Sequence, residues 1–506
     1  MAYSRVGAVG LFGLNAYAAR VEVTLLEGVP EFDITGLPDT GVQESRKRIA
    51  AALKNSGIPL KSVRRIVNIS PASVRKTGSG FDLAICAALL SAQGTVEILP
   101  DDAFVGELAL SGELNPIQGI LPMALALKES GSKRVFLPSD NAKEASVLDG
   151  IEIIPVSDLN ALIRHLTGLQ PIPPTPRYIP TAEEYAYAVD FADVKGQKHA
   201  IRAIEVAAAG FHNILMVGIP GVGKSMIAKR IPTILPPMTF DESIQTTRIY
   251  SVAGLINPDK PLIIERPFRA CSHTASAAGI VGGGAVPSPG ELSLAHNGVL
   301  FLDEFPEFRR DVLEGLRQPL EDGTIHITRS AAKTEYPCRI MLVAAMNPCP
   351  CGNYGNKHTA CTCTDIARIK YREKISGPIM DRIDIHVELS GISYDDIKSG
   401  KSYDTSERIK ARIMKSREVQ SDRYRGMPFN VNSEIPSNLT KQYCTMTADA
   451  ETIVKAAFDT LGLSPRGHDR LLKVARTIAD LNGAEHIEKI HAMLAVQLRA
   501  MDRKQK

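Results

Sequence analysis

No stretch of this 506-residue chain approaches the roughly 20 consecutive apolar residues of a membrane span, which argues against a membrane-embedded helix. Charge of one sign is also lacking. With 59 basic and 56 acidic side chains the balance is only +3, so no polyanionic partner follows from it and local charge must be read instead. Cysteine is scarce and uneven: four of the eight fall between Cys349 and Cys363, a pattern of metal ligation in a reducing compartment and not of a disulfide framework. Internal repeats and low-complexity tracts are missing. Arg5, a mildly apolar stretch and Ala16-Tyr17-Ala18 imitate a secretory leader only loosely, because Gly7, Gly10, Gly13 and Asn15 interrupt it and Val21 to Leu26 continues as a strand. A cytoplasmic location is expected, with no membrane partner.

The length suits about three domains, each with its own core. Strand-like segments (Val21 to Leu26, Arg65 to Ile69) alternate with helical ones (Asp39 to Leu53, Phe81 to Ala92), predicting an α/β domain over 1–168 that lacks a phosphate loop. Residues 169–184, with Pro171, Pro173, Pro174, Pro176 and Pro180, read as an extended linker. A nucleotide core is expected over 185–392 and a helical domain over 393–506, where Leu471 to Arg476 spaces its apolar residues for one buried face.

Gly218-Ile219-Pro220-Gly221-Val222-Gly223-Lys224-Ser225 fills every fixed position of the phosphate-loop pattern G-x-x-x-x-G-K-[ST]. The apolar run Ile214 to Val217 precedes it and a helix-compatible stretch from Met226 follows, so strand, loop and helix occur in the required order. The glycines let backbone N–H groups turn onto phosphates, Lys224 reaches the β and γ oxygens, and Ser225 completes the shell of a Mg²⁺ ion. Val299 to Leu302 reads as a buried strand ending in Asp303-Glu304. This is a Walker B arrangement: Asp303 is the candidate magnesium ligand, and Glu304 the group that orients or deprotonates the attacking water.

Cys349-Pro350-Cys351 and Cys361-Thr362-Cys363 supply enough soft ligands for a tetrahedral, structural zinc site, against reduced surface thiols or an iron–sulfur cluster, with His358 able to replace one thiolate. Between Gly41 and Gly80, Arg46, Lys47, Arg48, Lys54, Lys61, Arg64, Arg65, Arg75 and Lys76 face a single acid, Glu44: either a footprint for phosphates or a solvated surface pointing several ways. Lys401 to Arg425 is a weaker basic stretch. Thr324 to Arg329 and Lys333 to Tyr336 alternate in polarity around small residues, predicting a β-hairpin.

The order of parts after the phosphate loop resembles the AAA+ ATPases. Asp193-Val194-Lys195-Gly196-Gln197, Ala207 to Asn213, Ser293 to Gly298, Asn347-Pro348-Cys349-Pro350-Cys351-Gly352 and Ala475 to Leu481 together resemble the YifB/ComM family of magnesium-chelatase-like AAA+ proteins, as do Gly36-Leu37-Pro38-Asp39 and Gly78 to Leu83 near the start. The likeness covers essentially the whole chain. One departure is Cys271-Ser272-His273-Thr274, where members commonly carry Pro-His-His-Thr, which leaves a role of the first histidine without its residue.

The resemblance implies a central AAA+ core with a parallel sheet and a C-terminal helical lid. Val194, Gln197 and Met226 would join Gly218, Ile219, Pro220, Gly221, Val222, Gly223, Lys224 and Ser225 around ATP, with Val194 and Gln197 near adenine. Asn347 would be the sensor 1 residue, Arg382 the arginine finger entering the neighbouring subunit's site, and Arg466 the sensor 2 residue of the lid. A homo-hexameric ring is implied, and in the ComM branch a DNA helicase that promotes branch migration while transforming DNA is integrated. In this class the 324–336 hairpin projects into the channel, making Arg329 and Lys333 candidate grips on single-stranded or branched DNA. Gly279 to Gly284 is either a second pore-facing insert or a surface loop.

Two other functions compete. The N-terminal region resembles the Lon protease domain, a ribosomal-S5-like α/β fold, but Gly80 stands where its serine should be and Leu121 where its lysine should be, with Ser79 one residue away. A motor that remodels a protein partner, as magnesium chelatase does, lacks here the integrin-like metal-binding domain, which a separate subunit could supply.

Overall fold

The computed structural model describes residues 2–181, 187–284, 288–329, 332–356, 359–391, 398 and 404–499, the side chains of 328, 329, 332 and 333 excepted. His358 and the linker residues 182–184 therefore lie outside the described residues, as do the side chains of Arg329 and Lys333. Two compact units result, and neither is one consecutive stretch: 1–184, 240–264 and 326–336 form the first, and 185–239, 265–325 and 337–506 the second.

In the first unit Ala2–Phe12 (β1) and Asn15–Leu26 (β2) form a long antiparallel hairpin. With Phe32–Thr35 (β3), Arg64–Ser70 (β4), Asp102–Phe104 (β5), Arg134–Pro138 (β8) and Glu152–Val156 (β9) they make a seven-stranded mixed sheet in the order β3-β4-β2-β1-β5-β8-β9, while Glu107–Leu108 (β6) and Leu114–Asn115 (β7) pair separately. Alternation along β2 buries Val21, Val23 and Leu25 against the helix Asp82–Ala92, which is apolar all round and almost wholly buried. A second core holds Ile120, Leu121 and Leu127 of the helix Ile120–Glu129, and Ile244 and Leu262 of the 240–264 segment join it. That segment, lying between nucleotide motifs in the sequence, thus completes the N-terminal unit's core. Glu144 is tied there to Ser251 and the Leu121 N–H, and burial raises its pKa.

The second unit carries a five-stranded, all-parallel sheet of Ile214–Gly218 (β10), Phe268–Cys271 (β11), Val299–Leu302 (β14), Met341–Met346 (β17) and Ile385–Leu389 (β18), in the order β11-β14-β17-β10-β18. Gly282–Gly283 (β12) pairs with Ser288–Pro289 (β13), so part of the glycine-rich stretch is a small ladder. The expected hairpin forms from Thr324–Arg329 (β15) and Ala332–Pro337 (β16). Its Thr334 is buried against Gly13 at the β1–β2 turn. The helices Ser406–Arg423, Ala448–Leu461, Pro465–Leu481 and Lys489–Gln497 make up the C-terminal part. Its buried Arg476 donates to Asp480, which also takes Arg423 at 2.6 Å, so the Ala475 to Leu481 motif encodes an interior ion network.

No helix among the described residues is long and apolar enough to cross a membrane. Ser79 donates to Glu107, Lys76 Nζ to the Pro71 carbonyl, and Leu121 is buried in the core, so no hydroxyl–amine dyad forms among these residues.

Candidate nucleotide-hydrolysis site

Ile214 to Val217 are buried, as a parallel strand covered on both faces requires. The chain leaves β10 through Gly218, where a Cβ would come within 2.9 Å of Val222 Cγ1 and 3.1 Å of the Leu389 carbonyl oxygen. Gly221 and Gly223 adopt φ of 76° and 97°, a region open to glycine, and the helix Lys224–Ala228 starts at once. Its N-terminus is aimed where phosphates would lie. The Lys224 ammonium is folded onto the carbonyls of Gly218 (2.6 Å) and Ile219 (3.2 Å) and onto Asn347 Oδ1 (3.1 Å). Burial lowers its pKa, opposed by the charges of Asp303 and Glu304.

Asp303 and Glu304 leave the carboxyl end of β14 beside this loop. Ser225 Oγ donates to Asp303 Oδ2 at 2.8 Å, which brings together the two groups suited to hold Mg²⁺. Glu304 is a non-glycine residue at φ 52°, an uncommon conformation, and its backbone N–H donates to Asp303 Oδ1 at 2.9 Å. Glu304 Oε2 lies 2.9 Å from His273 Nδ1. His273 follows β11, whose Cys271 pairs in register with Leu302 of β14. The motif departs from the family pattern at its first histidine, whereas His273, to which the sequence assigns no role, is the residue that meets Glu304. A polar side chain just past the strand adjoining the Walker B strand was the available signal.

Val194 and Gln197 are both buried, and Gln197 Nε2 donates to the Ser390 carbonyl at 2.8 Å. Ser390 follows β18, next to Gly218 in register. Met226 is exposed.

Asn347 ends β17 and leads into the cysteine segment. Sγ–Sγ distances are 3.4 Å for Cys349–Cys351, 3.7 Å for Cys349–Cys361 and 3.6 Å for Cys351–Cys361, and all four sulfurs, Cys363 included, lie within 4.8 Å of one another. Zinc bound to sulfur at about 2.3 Å spaces tetrahedral ligands about 3.8 Å apart, so the donor set fits one such ion. Backbone N–H groups of Asn353 and Thr362 lower the pKa of the Cys351 thiol, while burial raises that of Cys349.

Arg382 and Arg466 lie elsewhere. Arg382 precedes β18, and its carbonyl accepts from Asn213 Nδ2 just before β10. The parallel register runs from Ile214–Ile385 to Gly218–Leu389, so the length of a strand, about 16 Å, separates this edge from the phosphate loop. The Arg382 guanidinium is buried, donating to the carbonyls of Arg317 (2.8 Å) and Pro378 (2.7 Å) and to Glu321. Arg466, more exposed, reaches the other oxygen of Glu321 at 3.1 Å. Both arginines line a cleft of about 870 Å³ with Arg339, Arg470 and Lys473. Glu321, which joins them, carried no sequence signal.

The basic stretch from 41 to 80 is not one free surface. Arg48 is bound to buried Asp82, Arg64 to Glu31 and Asp33, and Lys76 is itself buried.

Models of magnesium chelatase subunit ChlI match residues 190–397 and 21–141, and a model of its C-terminal region matches 403–499. The chain is 39% identical to the uncharacterized protein YifB of Escherichia coli (strain K12) over 99% of this chain and 98% of that one. It is 38% identical to the competence protein ComM of Haemophilus influenzae over 99% and 97%. A Lon protease of Brucella abortus is 27% identical over 186 residues, 33% of this chain and 23% of that protein. Together with the parallel sheet, the phosphate loop and the paired carboxylates, these full-length matches show that the chain belongs to the YifB/ComM family of magnesium-chelatase-like AAA+ proteins.

Proposed function

We propose that the protein is a homo-hexameric ring motor that hydrolyses ATP to move DNA, a helicase promoting branch migration in homologous recombination or natural transformation in the cytoplasm. Its family makes it a magnesium-chelatase-like AAA+ ATPase, with ATP and Mg²⁺ as the implied cofactors. The observation that carries the ring reading is the division of the site between two sheet edges. Lys224, Ser225, Asp303, Glu304 and Asn347 gather at the carboxyl edge, whereas Arg382 and Arg466 meet at the amino edge, too far to serve the same nucleotide. A second copy supplying its arginines completes the centre. ATP would sit on the phosphate loop, and Mg²⁺ between Ser225 and Asp303 would neutralise phosphate charge. Glu304 would take the proton of the attacking water while the Asn347 amide orients it. One structural zinc ion is assigned to Cys349, Cys351, Cys361 and Cys363.

DNA is favoured as substrate by likeness to a competence protein and, more weakly, by the excess of nine basic residues over one acid between Gly41 and Gly80, part of which is taken up by ion pairs and burial. The ChlI matches favour the second reading, remodelling of a protein partner. ATP hydrolysis measured with and without single-stranded and forked DNA separates them. Stimulation by DNA is expected; no stimulation, together with no DNA binding at low salt, would leave only the protein-remodelling motor.

A further inference from the structure

The four-cysteine segment does more than decorate the core, because it touches the nucleotide site from two sides. At Gly352, in the turn after Cys351, a Cβ would lie 2.8 Å from Pro220 Cγ and 2.9 Å from Cδ, so the turn's backbone is packed on the phosphate loop itself. Its φ of 79° reserves the position for glycine. On the other side, Cys363 runs into the helix Asp365–Glu373, capped by Thr364. Tyr371 of that helix is buried beside the backbone of Asn347, whose side chain accepts from Lys224. The excursion from Asn347 through the cysteines and back to Asn347 is therefore a closed circuit.

Among the described residues little else closes it. Residues 359, 360, 362 and 364–366 are exposed, and Cys351, Cys361 and Cys363 are only half-buried. A loop with so little apolar burial does not offset the entropy of ordering itself, whereas four thiolates on one ion can supply that free energy. Arg368 packs over Tyr354 at 4.2 Å and donates to the Cys363 carbonyl at 3.4 Å, adding one contact between the two arms.

We propose that the metal held by Cys349, Cys351, Cys361 and Cys363 buttresses the hydrolysis site: it seats Gly352 on Pro220 and, through Tyr371, fixes Asn347, so that turnover depends on an ion that never contacts ATP. The inference rests on the zinc assignment above.

The test uses the full-length protein, purified with reductant under argon. Elemental analysis should give one zinc per chain, and cobalt exchange should produce the visible bands of tetrahedral thiolate coordination. Chelator stripping followed by zinc chloride should lower and then restore kcat and the affinity for a fluorescent ATP analogue, by about tenfold or more, as a small misplacement of catalytic groups does. The variant carrying Cys361→Ser and Cys363→Ser should lose the metal and the activity while keeping its helical circular dichroism. Should that variant not fold, Tyr371→Phe, which keeps all four thiols, is expected to retain zinc but lose several-fold in kcat. Protein without bound metal, and without cobalt bands, would refute the zinc assignment. Metal-free, folded protein with unchanged kcat and nucleotide affinity, or Tyr371→Phe with full kcat, would overturn the buttress and leave the zinc assignment standing.

Discussion

In the proposed mechanism hydrolysis turns on Glu304, and its surroundings explain how a half-exposed carboxylate could be kept in place. Its backbone is left-handed at φ 52°, and His273 meets its carboxylate at 2.9 Å. Glu304→Gln retains the shape and loses the proton acceptor. ATP affinity should stay within twofold of wild type, while kcat falls by about 10²-fold or more, the range a positioned base contributes. Weakened nucleotide binding in that variant would contradict the role. His273→Ala removes the partner and leaves the base, so a smaller loss, about tenfold in kcat with nucleotide affinity unchanged, is expected from steady-state and binding measurements together. A variant with wild-type kcat at every pH would show the histidine to be a bystander.

Elements read directly from the sequence are those whose signal is local. The buried run Ile214 to Val217, the glycines of the loop and the apolar Val299 to Leu302 each announce a parallel strand or its turn, and the two C-x-C pairs announce a shared ligand set. What stayed hidden depends on register across strands or on distant chain. His273 meets Glu304 only because β11 lies beside β14, Glu321 joins Arg382 from 61 residues away, and the helix Phe240–Val252 enters the N-terminal core because Ile244 finds Ile120 and Leu121 there. Strand β18 carries a consequence of the same kind. His386 is buried on it, and burial, then the charge of Arg499, holds its pKa down to about 3. In the unfolded chain a histidine titrates near 6.5, so between these values the unfolded state binds the extra proton. Stability should therefore be full above about pH 6.5 and fall on acidification by up to about 1.4 kcal/mol per pH unit from this group. Urea melts at pH 7 and pH 5 should show a smaller pH effect in His386→Gln than in wild type; equal slopes would mean that the side chain is not buried neutral.

At the scale of the whole molecule, the two sheet edges make a prediction that single variants cannot. Arg382→Ala and Arg466→Ala should each abolish most turnover, since a guanidinium at the transition state is worth about 10³ to 10⁵ in rate. Mixing distinguishes the ways in which this can happen. In a ring where the arginines serve the neighbour, an Arg382→Ala subunit still holds ATP competently and a Glu304→Gln subunit still lends its arginine. Equal mixtures should then recover roughly a quarter of wild-type activity if interfaces are independent. The decisive mixture is Arg382→Ala with Arg466→Ala. If Arg466 closed over its own subunit's ATP, the Arg382→Ala subunit would hydrolyse with an Arg382 lent by the other variant, and activity would return. Glu321 instead binds both arginines at the amino edge, about one strand length from the phosphate loop, so the proposed ring would offer both to the neighbour. Every subunit in that mixture then offers an incomplete pair, and no interface should work. Recovery there would mean that the lid swings Arg466 onto its own nucleotide, and the shared carboxylate would be only a resting contact.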